Sequence, residues 1–300
     1  MEYSFGKIDL HIHSTASDGS LSPGQIIEYA LKKGISAVSI TDHDTVDGID
    51  AVFARQLPES IEFVSGVEIS AAFPASFENS GSIHILGYGI ATDNPDLNAI
   101  LKKQQSARAG RNPVIIDRLN DMGIPASLDS IVALSGKKEV ARPHIADFLV
   151  KSGHAKDIDD AFDTFLGRGK PAYAEKYKVS AEKAISGIRS AGGIAVLAHP
   201  ALIVKNVSGK HTSNYLESLI ETLVSYGLEG IEAYYPDHTG KQTDFLKHAA
   251  GKRNLLITGG TDFHGDMTPG IEMGTGKGDF FVPYEIFDRL KKTLRHPNGK

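Results

Sequence analysis

The 300-residue chain contains no cysteine, and its formal net charge at pH 7 is −5. The absence of cysteine excludes disulfides and thiolate chemistry, so any metal site must be built from histidine, aspartate and glutamate. No apolar run approaches the ~20 residues that a membrane-spanning helix needs, and residues 1–5 lack the features of a signal peptide. We therefore expect a cytoplasmic protein with no membrane partner. The acidic balance argues against a surface that coats nucleic acid.

Strand and helix patterns alternate along the chain. The first predicted strand is Ile8–His13, and a helix follows that Ser22 and Pro23 begin and Gly34 ends. Further strands are predicted at 37–40, 61–70, 82–88, 193–198, 230–234 and 254–258. About seven such alternations are typical of a parallel β/α barrel, so we predict an α/β fold, a distorted seven-stranded barrel. An open doubly wound sheet is the alternative, but the Gly-x-Gly-x-x-Gly fingerprint is absent after the first strand.

The segment 95–177 interrupts this alternation, because it lacks the pattern of a buried strand. Its periodicity predicts helices at 97–106, 113–122, 128–134, 143–152 and 157–166. We interpret it as a small helical domain that is inserted into the barrel and covers the substrate. The barrel itself would then consist of residues 1–94 and 178–300.

Side chains that bind divalent metals lie at or near the ends of most predicted strands. Two of them, His11 and His13, are two residues apart on one strand and therefore project from the same face. The complete set is His11, His13, Asp18, His43, Glu68, His84, His199, Asp262 and His264. A barrel gathers the carboxyl ends of its strands on one rim, where these side chains would meet. Nine ligands exceed the needs of one ion, so we expect two or three divalent cations that share a carboxylate.

Each of these residues has a structural explanation when it is considered alone. Asp18 could be a turn residue, Glu68 a salt-bridge partner and His84 a histidine of the core. His199, which precedes a proline, could simply end a strand. Core packing does not explain a histidine or carboxylate near so many strand ends, and this recurrence favours the metal site.

The same residues stand in motifs that resemble those of the PHP (polymerase and histidinol phosphatase) superfamily. The matching segments are Asp9–Ser14, Ser17–Gly19, Thr41–Asp44, Gly66–Glu68, Ile83–Gly87, Ala198–Pro200 and Gly260–His264. Within the insertion, Arg142–His144 and Gly169–Pro171 resemble the stand-alone bacterial branch of that superfamily. This branch includes AMP phosphatases and 3′,5′-bisphosphonucleotide phosphatases.

The resemblance implies a centre of three metal ions. The first ion would be held by His11, His13, Glu68 and Asp262, the second by Glu68, His84 and His199, and the third by Asp18, His43 and His264. Imidazole and carboxylate ligands together suit Mn²⁺, Fe²⁺ or Zn²⁺ better than Mg²⁺.

The predicted reaction is hydrolysis of the phosphomonoester of a small phosphorylated substrate, a nucleotide, by water that the cations activate. Arg142 is the first candidate for a phosphate clamp, because a guanidinium can bind two oxygens at once. His144 is the second candidate for a catalytic role, and Arg168 and Lys170 are further candidates for substrate binding. A structural or solvated role is open for each of the four.

Three other functions are compatible with these residues. One is histidinol-phosphate phosphatase, and another is a 5′→3′ exonuclease on short RNA, which would need aromatic platforms for the bases. The candidate platforms are Tyr173, Tyr177, Tyr234 and Tyr235. The third is an inactive metal-bearing module, which the complete ligand set argues against. No feature of the sequence indicates a stable protein partner.

Overall fold

A computed structural model describes residues 6–77, 81–135, 140–174, 177–204 and 212–294. Residues 1–5, on which the expectation about a signal peptide depends, lie outside this description. The chain divides into two compact units, Met1–Leu101 with Lys178–Lys300, and Lys102–Tyr177. The α/β fold expected from the sequence is confirmed.

The first unit is built on one mixed sheet with helices between its strands. Its strands are β1 (Lys7–Ile12), β2 (Ile35–Ile40), β3 (Glu62–Ala72), β4 (Ile83–Tyr88), β5 (Val179–Ser180), β6 (Ile194–Leu197), β7 (Gly230–Tyr234) and β8 (Leu256–Gly259). Its helices are α1 (Pro23–Lys32), α2 (Asp47–Phe53), α7 (Ala181–Ser190), α8 (Pro200–Ile203), α9 (Thr212–Ser225), α10 (Gly240–Lys252) and α11 (Tyr284–Thr293). The two-residue β5, which pairs with β3, was not predicted.

The strands follow the order β1-β2-β3-β4-β6-β7-β8 across the sheet. All neighbours on this path are parallel except those of β4, which runs antiparallel to both β3 and β6. The parallel direction expected of strands in a β/α barrel was therefore wrong for β4. The reversal brings the start of β4, rather than its end, to the rim where the neighbouring strands finish. His84, the second residue of β4, consequently lies at this rim.

The two ends of the sheet meet just beyond β1 and β8. Ile12 forms a parallel bridge with Phe263, and His13 N donates to Phe263 O at 2.9 Å. Buried Asp9 reinforces this junction, because it accepts hydrogen bonds from Thr261 N at 2.9 Å and from Gly274 N at 2.8 Å. The junction places the segment after β8 beside the segment after β1, and both segments carry predicted ligands.

The second unit is helical and has a core of its own. It contains α4 (Leu128–Ser135), α5 (Arg142–Lys151), α6 (Ile158–Ala161) and a π-helical turn, Phe162–Leu166. A single helix, α3 (Pro95–Asp121), replaces the two helices predicted at 97–106 and 113–122, and it continues through Pro113. In the described parts of the chain, no helix combines the length and the apolar character needed to cross a membrane.

Candidate metal centre

All nine predicted ligands lie in the first unit, on the rim where the strands end. His11 belongs to β1 and His13 follows it, whereas Glu68 lies within β3 beside His43, to which it is joined by a parallel bridge. The remaining five are Asp18 in the turn after β1, His84 on β4, His199 after β6, and Asp262 and His264 after β8.

Four of these side chains direct their donor atoms at one point. His11 Nε2 lies 3.4 Å from Glu68 Oε2 and 3.2 Å from Asp262 Oδ1. His13 Nε2 lies 3.2 Å from the same glutamate oxygen and 3.1 Å from the same aspartate oxygen. With metal–ligand bonds of ~2.1 Å, the donor atoms of a tetrahedral site lie ~3.4 Å apart and those of an octahedral site ~3.0 Å apart. The observed separations therefore suit a first-row divalent cation.

Glu68 lies at the centre of the cluster, and its two oxygens face different partners. Oε2 faces His11 and His13, and it also lies 3.0 Å from His43 Nδ1. Oε1 lies 2.9 Å from His84 Nδ1 and 3.1 Å from His199 Nε2. A carboxylate with imidazole nitrogens on both oxygens has the arrangement required of a bridging ligand.

A third group of donor atoms surrounds Asp18. Its Oδ1 lies 3.4 Å from His264 Nε2 and 3.6 Å from His13 Nδ1, and its Oδ2 lies 4.0 Å from His43 Nε2. His13 and His43 each direct one ring nitrogen at Asp18 and the other at Glu68. Three overlapping ligand groups result: His13, Asp18, His43 and His264; His11, His13, Glu68 and Asp262; and His43, Glu68 and His84.

The charges of the cluster are mutually dependent. Burial alone would raise the pKa of Glu68, but the imidazoles of His43, His84 and His11 outweigh burial and hold that pKa well below its usual range. Burial alone would lower the pKa of His13, but hydrogen bonds to Asp262 and Glu68 outweigh it and raise that pKa to about 10. The site therefore stabilises positive charge, and a divalent cation would compete with protons for these donor atoms.

Unpartnered polar atoms give a direct test of whether cations fit. Among the described residues, buried side-chain atoms of the three ligand groups without a hydrogen-bond partner are His11 Nε2, both ring nitrogens of His13, Asp18 Oδ1, His43 Nδ1, Glu68 Oε2 and Asp262 Oδ1. Buried polar atoms normally have partners, because leaving one unsatisfied costs ~1–3 kcal/mol. These atoms converge at short range, so the donor set fits divalent metal ions.

Two ligands have a left-handed backbone conformation that is unfavourable for residues other than glycine. His199 has φ 30° and Asp262 has φ 54°. Such conformations cost ~1–3 kcal/mol and concentrate at functional sites. The strained backbone at His199 and Asp262 is consistent with a conformation that is kept because it directs these two side chains into the cluster.

Two residues of this site were not predicted from the sequence. Glu232, buried within β7, accepts a hydrogen bond from His11 Nδ1–H at 2.9 Å. The hydroxyl of Tyr235, a residue predicted only as a platform for bases, donates to Asp262 Oδ2 at 3.1 Å. A signal was present for Glu232, because a carboxylate inside an apolar strand requires a partner.

The predicted substrate contacts lie in the second unit. Arg142 is half-buried, donates to Leu166 O at 3.4 Å, and lies over the Phe162 ring at 5.5 Å. His144 is buried, and its Nδ1 accepts from Ala141 N at the start of α5. Arg168 and Lys170 are exposed in the turns after the π-helical segment. These contacts give Arg142 and His144 local structural roles, and substrate binding by all four residues stays a prediction.

Comparison with known proteins identifies relatives along most of the chain. Residues 9–233 match the family model of the PHP domain. A 5′-3′ exoribonuclease from Haemophilus influenzae is 36% identical over 258 residues, covering 86% of this chain and 90% of that protein. A 3′,5′-nucleoside bisphosphate phosphatase from Chromobacterium violaceum is 32% identical, covering 89% and 90% respectively. The solved structure of an amidohydrolase from Chromobacterium violaceum, with bound sulfate and no metal, matches with a TM-score of 0.82 at 31% identity, covering 98% of this chain and 99% of that one.

Proposed function

The chain belongs to the PHP domain family and is a phosphoesterase, and we propose that it hydrolyses the phosphomonoester of a nucleotide. The proposed substrates are AMP and 3′,5′-bisphosphonucleotides. The observation that carries this proposal is the set of three overlapping ligand groups, two of which share Glu68. Several cations in one site suit the transfer of a phosphoryl group, because its transition state carries charge on several oxygens at once.

The chain's own residues would hold and orient the ions. The proposed ligands are the nine residues that the PHP motifs imply, with Glu68 shared between the first and the second ion. Ions bound there would supply Lewis acidity and would lower the pKa of water toward neutrality. Asp262 remains ionised, because nearby imidazoles, with His11 foremost, outweigh its burial and hold its pKa well below the usual range. Tyr235, through its hydroxyl, fixes the outer oxygen of that carboxylate.

Substrate binding is assigned in this proposal to Arg142, His144, Arg168 and Lys170. Arg142 has the strongest case, because a guanidinium matches two phosphate oxygens geometrically. We expect Arg142→Ala to lower kcat/KM by at least ~10-fold, or ~1.4 kcal/mol. The exposed Arg289 on α11 offers a matched arginine-to-alanine control. A loss below about threefold in Arg142→Ala would remove this residue from the proposal.

A second candidate function is 5′→3′ hydrolysis of short RNA. The exoribonuclease from Haemophilus influenzae is more similar in sequence than the bisphosphate phosphatase. In addition, the Tyr235 ring lies 5.4 Å from the ring of His199, so an aromatic side chain stands next to the proposed ligands. Aromatic faces bind bases by stacking without sequence preference.

A kinetic comparison on one preparation tests both functions. The protein is treated with a chelator, and turnover of AMP, a 3′,5′-bisphosphonucleotide and a short 5′-phosphorylated RNA is then measured before and after addition of Mn²⁺. We expect chelation to lower activity at least ~100-fold, because the cations supply several kcal/mol of charge stabilisation. Release of inorganic phosphate from mononucleotides identifies the phosphatase, whereas release of mononucleotides from RNA identifies the exonuclease. Full activity in chelator would exclude both metal-dependent proposals.

A further inference from the structure

Glu232 is a fully buried carboxylate that belongs to none of the three ligand groups. It lies on β7 with 0% of its surface exposed. Each of its oxygens accepts one hydrogen bond, Oε1 from His11 Nδ1–H at 2.9 Å and Oε2 from His199 N–H at 2.8 Å. A buried charge is stable only when such partners satisfy it. The partners of Glu232 are two predicted ligands from different strands.

The first hydrogen bond determines which nitrogen of His11 can bind a cation. When Nδ1 carries the proton that it donates to Glu232, the lone pair resides on Nε2. That Nε2 atom is the one that lies 3.4 Å from Glu68 and 3.2 Å from Asp262. Glu232 therefore selects the tautomer of His11 that presents its free lone pair to the cluster.

The second hydrogen bond acts on the backbone of a different ligand. His199 has the left-handed conformation φ 30°, ψ 58°, which needs support from its surroundings. Its amide is held by Glu232, and its ring Nε2 then lies 3.1 Å from Glu68 Oε1. Glu232 thus contacts two ligands, His11, which faces Glu68 Oε2, and His199, which faces Glu68 Oε1.

We propose that Glu232 is a positioning residue of the metal centre, which fixes the tautomer of His11 and the backbone of His199 without binding an ion itself. This inference rests on the proposed metal centre. A carboxylate that orients a ligating histidine typically changes metal affinity by ~10–100-fold when it is removed.

Glu232→Gln is the sharpest substitution for testing this role. Glutamine has the size of glutamate, but its amide accepts hydrogen bonds only at oxygen and donates at nitrogen. It can satisfy either His11 Nδ1–H or His199 N–H, and its NH₂ group then faces the other donor. Thr258→Val is the matched control, because Thr258 is also buried and pairs with Glu232 across β7 and β8.

The primary measurement is a titration of chelator-treated protein with Mn²⁺, in which electron paramagnetic resonance counts the free ion. We expect Glu232→Gln to weaken the binding of Mn²⁺ by ~10–100-fold, and Thr258→Val to bind like the wild type. Binding by Glu232→Gln within about threefold of the wild type would overturn the positioning role. Failure of the wild type itself to bind Mn²⁺ would instead refute the metal centre.

A second measurement reads the tautomer of His11 in the wild-type protein, so its result does not depend on how Glu232→Gln folds. In Zn²⁺-loaded protein with ¹⁵N-labelled histidine, nitrogen chemical shifts report which ring nitrogen carries a proton. We expect His11 to show a slowly exchanging Nδ1–H, with the signal assigned from a His11→Gln sample. A proton on Nε2 of His11 would overturn the inference, whatever the titration shows.

Discussion

At the scale of single residues, the two oxygens of Glu68 separate the centre into parts that substitutions can remove independently. Asp18 faces His264, His13 and His43, whereas His84 faces Glu68 Oε1. We expect Asp18→Asn and His84→Gln each to lower the metal content by about one ion per chain and kcat/KM by at least ~100-fold. Metal analysis of the purified variants, with kinetics on the same samples, measures both effects.

The double variant provides the internal check. If the two residues bind different ions, Asp18→Asn with His84→Gln should lose about two ions. Asp288→Asn and His248→Gln make the same chemical changes on α11 and α10, outside the ligand groups, and should retain the wild-type metal content. A double variant that loses no more metal than either single variant would show that Asp18 and His84 bind the same ion.

Single residues also differ in whether their place in the site could be predicted from the sequence. The eight residues of the ligand groups and His199 could be proposed because histidines and carboxylates recur where strands end. Glu232 was missed because it lies inside a strand whose pattern is otherwise apolar, and its partner His11 is 221 residues away in the chain. Local patterns show that a buried carboxylate needs a partner, but they do not identify that partner.

At the scale of elements, periodicity predicted every strand except the two-residue β5, but it did not predict the strand directions. Alternation with a period of two is the same in parallel and antiparallel strands. The connection lengths carried the missing information, because parallel neighbours need a crossover of a dozen or more residues, usually a helix. Residues 73–82 between β3 and β4 are too few for that, which accounts for the antiparallel β4.

Pro113 is an element-scale case in which tertiary context overrides a local rule. Proline lacks the amide that donates within a helix. The second predicted helix began at Pro113, yet α3 runs without interruption from Pro95 to Asp121. Pro113 is exposed, so its replacement removes little packing. We expect Pro113→Ala to raise the free energy of unfolding by up to ~3 kcal/mol, the difference in helix propensity.

Denaturant unfolding of Pro113→Ala, followed by circular dichroism, measures this gain. Val114→Ala changes the exposed neighbour and should alter stability by less than ~0.5 kcal/mol. A loss of stability in Pro113→Ala would mean that the proline is required where it stands.

At the scale of the whole molecule, the ligand groups and the hydrophobic core of the helical unit belong to different compact units. All nine predicted ligands lie in the unit Met1–Leu101 with Lys178–Lys300. The unit Lys102–Tyr177 has its own buried cluster, which includes Leu119, Ile131 and Leu149. Metal binding should therefore stabilise the first unit directly. An ion at 100 times its dissociation constant contributes ~2.7 kcal/mol to the state that binds it.

Hydrogen exchange measured by mass spectrometry, with and without EDTA, tests this separation. Removal of the ions should speed exchange of amides in β1 and β3 by up to ~100-fold, because these strands carry His11 and Glu68. Amides of α4 and α5 should exchange at unchanged rates, because no member of the ligand groups lies on them. EDTA already saturated with Mn²⁺ is the control, since it adds the same anion without withdrawing metal. Equal acceleration in both units would contradict metal stabilisation that is confined to the first unit.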